Sequence, residues 1–101
     1  MNKELEEYCR HIKNEDYFEA HEALEPLWLE TKKRDYDASL PLKALINAAI
    51  AFEHIKRAKP NAKINASTVF KGYTKYREEV ALSYHEIYQL IEQIATKLQL
   101  L

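Results

Sequence analysis

The sequence predicts an all-α protein, a single-domain bundle of about five helices around a buried central helix. Three observations carry that expectation. Only 1 Gly and 3 Pro occur in 101 residues, which leaves little material for the tight turns of a β-sandwich or for a phosphate-cradling glycine loop. Apolar residues recur at three- and four-residue spacing along most of the chain. The composition, 47% apolar and 31% charged, is that of one globular unit. No repeat, low-complexity tract or linker divides residues 1–101.

The elements follow in order. Leu5, Tyr8, Cys9 and Ile12 fall at i, i+3, i+4 and i+7 among charged residues, which predicts an amphipathic first helix over 3–13. Asn14 to Asp16 ends it. Asp16 followed by Glu19 is a capping-box pattern, so a second helix is expected from Tyr17. Its apolar stripe is Tyr17, Ala20, Leu24, Leu27 and Trp28, and Pro26 should kink it by removing the N–H that would bond the Glu22 carbonyl. The polar stretch Thr31 to Ser39 reads as a connecting loop with Ser39 as the next cap. From Leu40 to Ala58 a third helix is apolar on nearly all sides up to Phe52, which predicts the buried centre. Lys59-Pro60-Asn61 interrupts the pattern. Ala62, Ala66, Val69, Phe70, Tyr73 and Tyr76 resume it as a fourth helix weakened at Gly72. Ser83 with Glu86 forms a second capping box. The fifth helix carries Ile87, Ile91, Ile94, Leu98 and Leu101, a seam for the bundle or for a homodimer.

Charge and cysteine usage exclude some functions. The net charge is -1, unlike that of a protein that coats nucleic acid, and nucleic acid is not an expected partner. The charge is nonetheless uneven. Residues 1–30, 31–77 and 78–101 sum to -6, +8 and -3. Lys56, Arg57, Lys59, Lys63, Lys71, Lys75 and Arg77, interleaved with Tyr73 and Tyr76, make the middle third electropositive, and neutralisation against the acidic first helices is the plainer account. The stretch Met1 to Arg10 is charged rather than apolar, so no signal peptide is expected. The run Ala44 to Phe52, broken by Asn47, is too short to span a bilayer. A single cysteine, Cys9, fits a reducing compartment. A cytoplasmic protein with no membrane partner is the expectation. Cys9 has core periodicity and reads as an inert thiol. His11, four residues after Glu7, reads as half of a surface pair, and His85 as a solvated position.

The densest polar signal is His21-Glu22-Ala23-Leu24-Glu25. His21 and Glu25 lie one turn apart beside the apolar stripe, with Glu22 pointing further toward solvent. On the third helix Asn47, Ala51 and His54 share one line, and the two lines are expected to face each other. Three functional classes arise. The first is a binding module whose His21, Glu25, Asn47 and His54 form a semi-buried pocket walled by Trp28, for a small-molecule or protein ligand. The second is a metal-dependent hydrolase with His21, Glu25 and His54 holding a divalent metal and Glu22 as general base. The third is a structural or interaction protein whose polar network only orders the core. Stronger metal patterns are absent: the spacing is H-E-x-x-E rather than H-E-x-x-H, and no Glu stands three residues before any of the 4 histidines. No motif names a nucleotide, flavin or haem, so no organic cofactor is predicted. Trp28 reads as a pocket wall or as core area.

Tyr17-Phe18-Glu19-Ala20-His21-Glu22-Ala23-Leu24-Glu25 with Trp28, and Leu42-Lys43-Ala44-Leu45-Ile46-Asn47-Ala48-Ala49 closing on His54, together resemble a family of small bacterial, archaeal and plastid proteins, domain of unknown function 309. The two blocks cover about half the chain. The resemblance implies an all-helical domain with the two motif helices packed together. It also implies that His21, Glu22, Glu25, Trp28 and His54 occupy recurring positions. The family commonly has Gly where this chain has Ala44, and a Gly-Asn turn where it has Lys59-Pro60-Asn61. The resemblance brings no activity with it.

Overall fold

The computed structural model describes residues 2–101, and among them every regular element is a helix. There are six: α1 (Lys3–Lys13), α2 (Tyr17–Arg34), α3 (Tyr36–Arg57), α4 (Ala62–Thr74), α5 (Arg77–Ser83) and α6 (His85–Lys97). Periodicity places α1 correctly, and Asn2 caps it through its side chain to the N–H groups of Glu4 and Leu5. The predicted fourth helix corresponds to α4, which stops at Thr74, and the sixth helix is the short α5, in residues between Tyr76 and the expected Ser83 cap to which the sequence assigns no element.

Several expectations about boundaries are corrected. The stretch Thr31 to Ser39 is not a loop: α2 runs to Arg34, α3 begins at Tyr36, and Asp35 alone turns the chain. Asp35, extended at φ -154 and ψ 96, accepts from the Ala38 N–H at 3.2 Å and is the true cap. Ser39 lies inside α3 and donates to the Tyr36 carbonyl at 2.6 Å. The segment is polar because it is exposed, and it contains neither Gly nor Pro to stop a helix. Neither capping box forms: Asp16 makes no side-chain cap bond, Ser83 closes α5, and Tyr84 precedes α6 without a side-chain bond. At Asp16 the reason is the ending of α1. Glu15 is left-handed at φ 60, with Glu15 N–H donating to the Ile12 carbonyl and Asp16 N–H to the His11 carbonyl. This is a Schellman closure, and it commits Asp16 to a ψ of 66, away from extended cap geometry. His11 makes no ion pair with Glu7 among the described residues. Helix α2 runs unbroken through Pro26.

α3 supplies ten buried residues and packs against α2, α4 and α5, while α1 lies on α2 and α5 on α6. An aromatic path runs through the core. Tyr17 meets Phe52 edge-on at 5.4 Å, Phe52 lies 6.0 Å from Phe70, and Phe70 stacks on Tyr73 at 4.9 Å. The Tyr73 hydroxyl then donates to Glu92 at 2.7 Å, and Arg77 pairs with the same carboxylate, joining α4, α5 and α6. Tyr8, fully buried, donates to the Leu45 carbonyl at 2.6 Å and ties α1 to α3. Ile87 and Ile91 of the expected seam are buried in the chain's own core, whereas Leu101 lies beyond α6 and is exposed. No helix among the described residues is long and apolar enough to cross a membrane.

Candidate functional site

The first turns of α2 and the last turns of α3 form a cleft of about 260 Å³ lined by Phe18, His21, Ile50, Glu53, His54 and Arg57. Local periodicity explains the arrangement. Tyr17, Ala20 and Leu24 turn into the core, so Phe18 and His21 flank the buried stripe and stand at the edge of the α2 and α3 contact. On α3, Phe52 is buried beside Tyr17, which leaves Ile50, Glu53, His54 and Arg57 at the rim. The Phe18 and His21 rings meet edge-on at 5.9 Å.

His21 Nε2 lies 3.0 Å from Glu25 Oε2, with side chains 22% and 47% exposed. An i, i+4 pair this open to water contributes only about 0.3–0.5 kcal/mol. Its consequence is therefore orientation of the imidazole more than stability. Across the cleft Arg57 Nε donates to Glu53 Oε1 at 3.2 Å, a second i, i+4 pair. The lining thus combines two apolar side chains, two imidazoles and one neutralised ion pair.

The candidate residues are only partly brought together. His21 and His54 share the cleft, and Glu25 reaches it through His21. Glu22 is exposed on the outer side of α2. Asn47 and Trp28 do not line the cleft. Asn47 faces α4, where its side chain fills the space a β-carbon would need at Gly72. Trp28 is half-buried against the core, with the ammonium groups of Lys43 and Lys32 at 4.3 and 5.2 Å from its ring. Of the two roles the sequence allows it, pocket wall or core area, its position fits core area, with its exposed face a cation–π platform. Among the described residues no three His, Cys, Asp or Glu side chains are grouped to hold one metal ion. His21 and Glu25 stand together, but His54 is not grouped with them, so the His21, Glu25 and His54 ligand set is incomplete among the described residues.

Phe18, Ile50, Glu53 and Arg57 line the cleft although the sequence does not mark them as site residues. Phe18 falls just off the apolar stripe, and Glu53 with Arg57 at i, i+4 beside His54 was the available signal. The basic middle of the chain is engaged within the molecule at several points: Lys56 donates to the Glu15 carbonyl at 2.6 Å, Lys63 to the Leu98 carbonyl at 2.9 Å, and Arg77 to Glu92. Cys9 is free and half-buried, and burial raises its thiol pKa, away from nucleophilic character.

The family described as a domain of unknown function (DUF309) matches residues 5–65, more than half of the chain, from α1 into the start of α4. Both walls of the cleft lie inside that segment. No curated protein and no solved structure matches the chain.

Proposed function

The chain belongs to the domain of unknown function (DUF309) family, to which no reaction is attached, and we propose that it is a single-domain binding module whose α2 and α3 cleft receives a side chain of a protein partner. The observation that carries this is the size and lining of the cleft. Its volume of about 260 Å³ falls just below the roughly 300–1,000 Å³ of pockets that enclose a cofactor or drug-sized ligand. It matches one inserted group. Phe18 and Ile50 supply apolar surface, and the imidazoles of His21 and His54 supply hydrogen-bonding groups beside it. The unpaired thiol of Cys9 supports a reducing, cytoplasmic setting.

The test is a fragment titration followed by ¹H–¹⁵N spectra of the full chain. Shifts are expected to concentrate at Phe18, His21, Ile50 and His54. His54→Ala is expected to weaken the bound fragments about tenfold while changing unfolding free energy by less than about 1 kcal/mol, as for a half-exposed residue without a buried partner. Fragment shifts mapping to another face, or unaltered affinity in His54→Ala, would reject the reading.

A further inference from the structure

His21 also borders a hollow outside the cleft. This hollow, of about 430 Å³, starts at the same imidazole and follows α2 past Glu22, Glu25 and Pro26 to Leu29. Residues 18, 22, 25 and 29 share one helix face, on the side away from the buried stripe. Only α2 residues line this hollow. Phe18 and Leu29 are each 44% exposed, and eleven residues of helix set them roughly 16 Å apart. Between them stand Glu22, with no ion-pair partner among the described residues, and Glu25, paired only with His21. On the α3 side Glu53 and Arg57 neutralise each other. The face has two apolar ends and an acidic middle.

From this we infer that the outer face of α2 docks a basic amphipathic segment of another protein. That segment carries two apolar anchors roughly 16 Å apart, with Lys or Arg between them. One anchor sits against Phe18 and Ile50, the other against Leu29, and the basic groups lie over Glu22 and Glu25. The inference rests on the binding reading above and names its partner. A second copy docking through its basic α4 fits less well. That helix presents one large exposed apolar residue, Ile64, and Lys63 there is already committed to the carbonyls of Leu98 and Gln99. It cannot fill both ends.

The experiment is selection of displayed 16-residue peptides against the full chain and, in parallel, against the Glu22→Lys/Glu25→Lys variant. The wild type is expected to enrich basic peptides with two spaced apolar anchors, binding at least tenfold more weakly to the variant and more weakly at high salt. The variant is expected to favour acidic residues between the same anchors. A neutral or acidic wild-type consensus, or no enrichment, overturns the inference. So does self-association of the chain that is lost in the variant, since it assigns the face to a second copy. The fragment titration separates the two levels: shifts at His54 without a basic consensus overturn the partner and leave the cleft reading standing.

Discussion

A β-carbon added at Gly72 would overlap the Asn47 amide nitrogen and come within 2.9 Å of its Cγ. Gly is therefore placed there by the approach of α3, although it costs α4 about 1 kcal/mol of helix propensity. Gly72→Ala is expected to destabilise the protein by about 1–2 kcal/mol as Asn47 is displaced. In an Asn47→Ala background the same change should be neutral or stabilising by about 0.5–1 kcal/mol. Urea denaturation of the four proteins checks this, and additive effects would refute the contact. The same residue shows how little of the site was visible in the sequence. Asn47 and His54 do project along one line of the helix, yet α4 covers one end of that line and leaves the other open. Periodicity defines a direction on a helix without saying which neighbour occupies it.

Helix ends carry the next prediction. α1 and α6 both close through a left-handed residue that is not glycine, Glu15 at φ 60 and Gln99 at φ 60, with paired Schellman bonds at each. A residue with a β-carbon costs roughly 1–2 kcal/mol in that region. Glu15→Gly should therefore raise stability by about 0.5–1 kcal/mol, read as an increased urea midpoint at unchanged slope. The Lys56 bond to the Glu15 carbonyl survives the change, because it uses the backbone. No gain would mean that the turn is unstrained. These ends also explain why the boundaries were misread. Capping boxes are judged from sequence spacing, whereas the backbone closure at Glu15 settles where α2 begins and the extended Asp35, with its side chain on the Ala38 N–H, settles where α3 begins.

For the molecule as a whole, buried phenols set the alkaline limit. Burial raises the pKa values of Tyr8, Tyr17, Tyr73 and Tyr84, and for Tyr73 the Glu92 carboxylate it bonds adds to the effect. Each group is held above its unfolded value, near 10.0, so its contribution is complete below pH 10. It is lost as pH rises through the folded value, because the unfolded chain sheds those protons first. Stability is expected to be insensitive to these phenols up to about pH 10 and then to fall. The slope is up to about 1.4 kcal/mol per pH unit for each phenol held neutral. Tyrosinate absorbance should rise in step with unfolding for Tyr8 and Tyr73. Early, non-cooperative ionisation of all 7 tyrosines would contradict the buried geometry.

The sequence by itself determined the helical class, the location of α1 and the apolar character of α3, because spacing and composition are local properties that any neighbour must accept; the packing of the two motif helices came from the family resemblance of their residues. Only the tertiary structure decided that helices run to Arg34 and from Tyr36 with Asp35 alone between them, that Trp28 lies under Lys32 and Lys43, that Asn47 belongs to Gly72, and that Phe18 joins His21 and His54 at a cleft. Each of these depends on which element occupies the space beside a helix face. That is a relation between residues distant in the chain, and no periodicity within one helix encodes it.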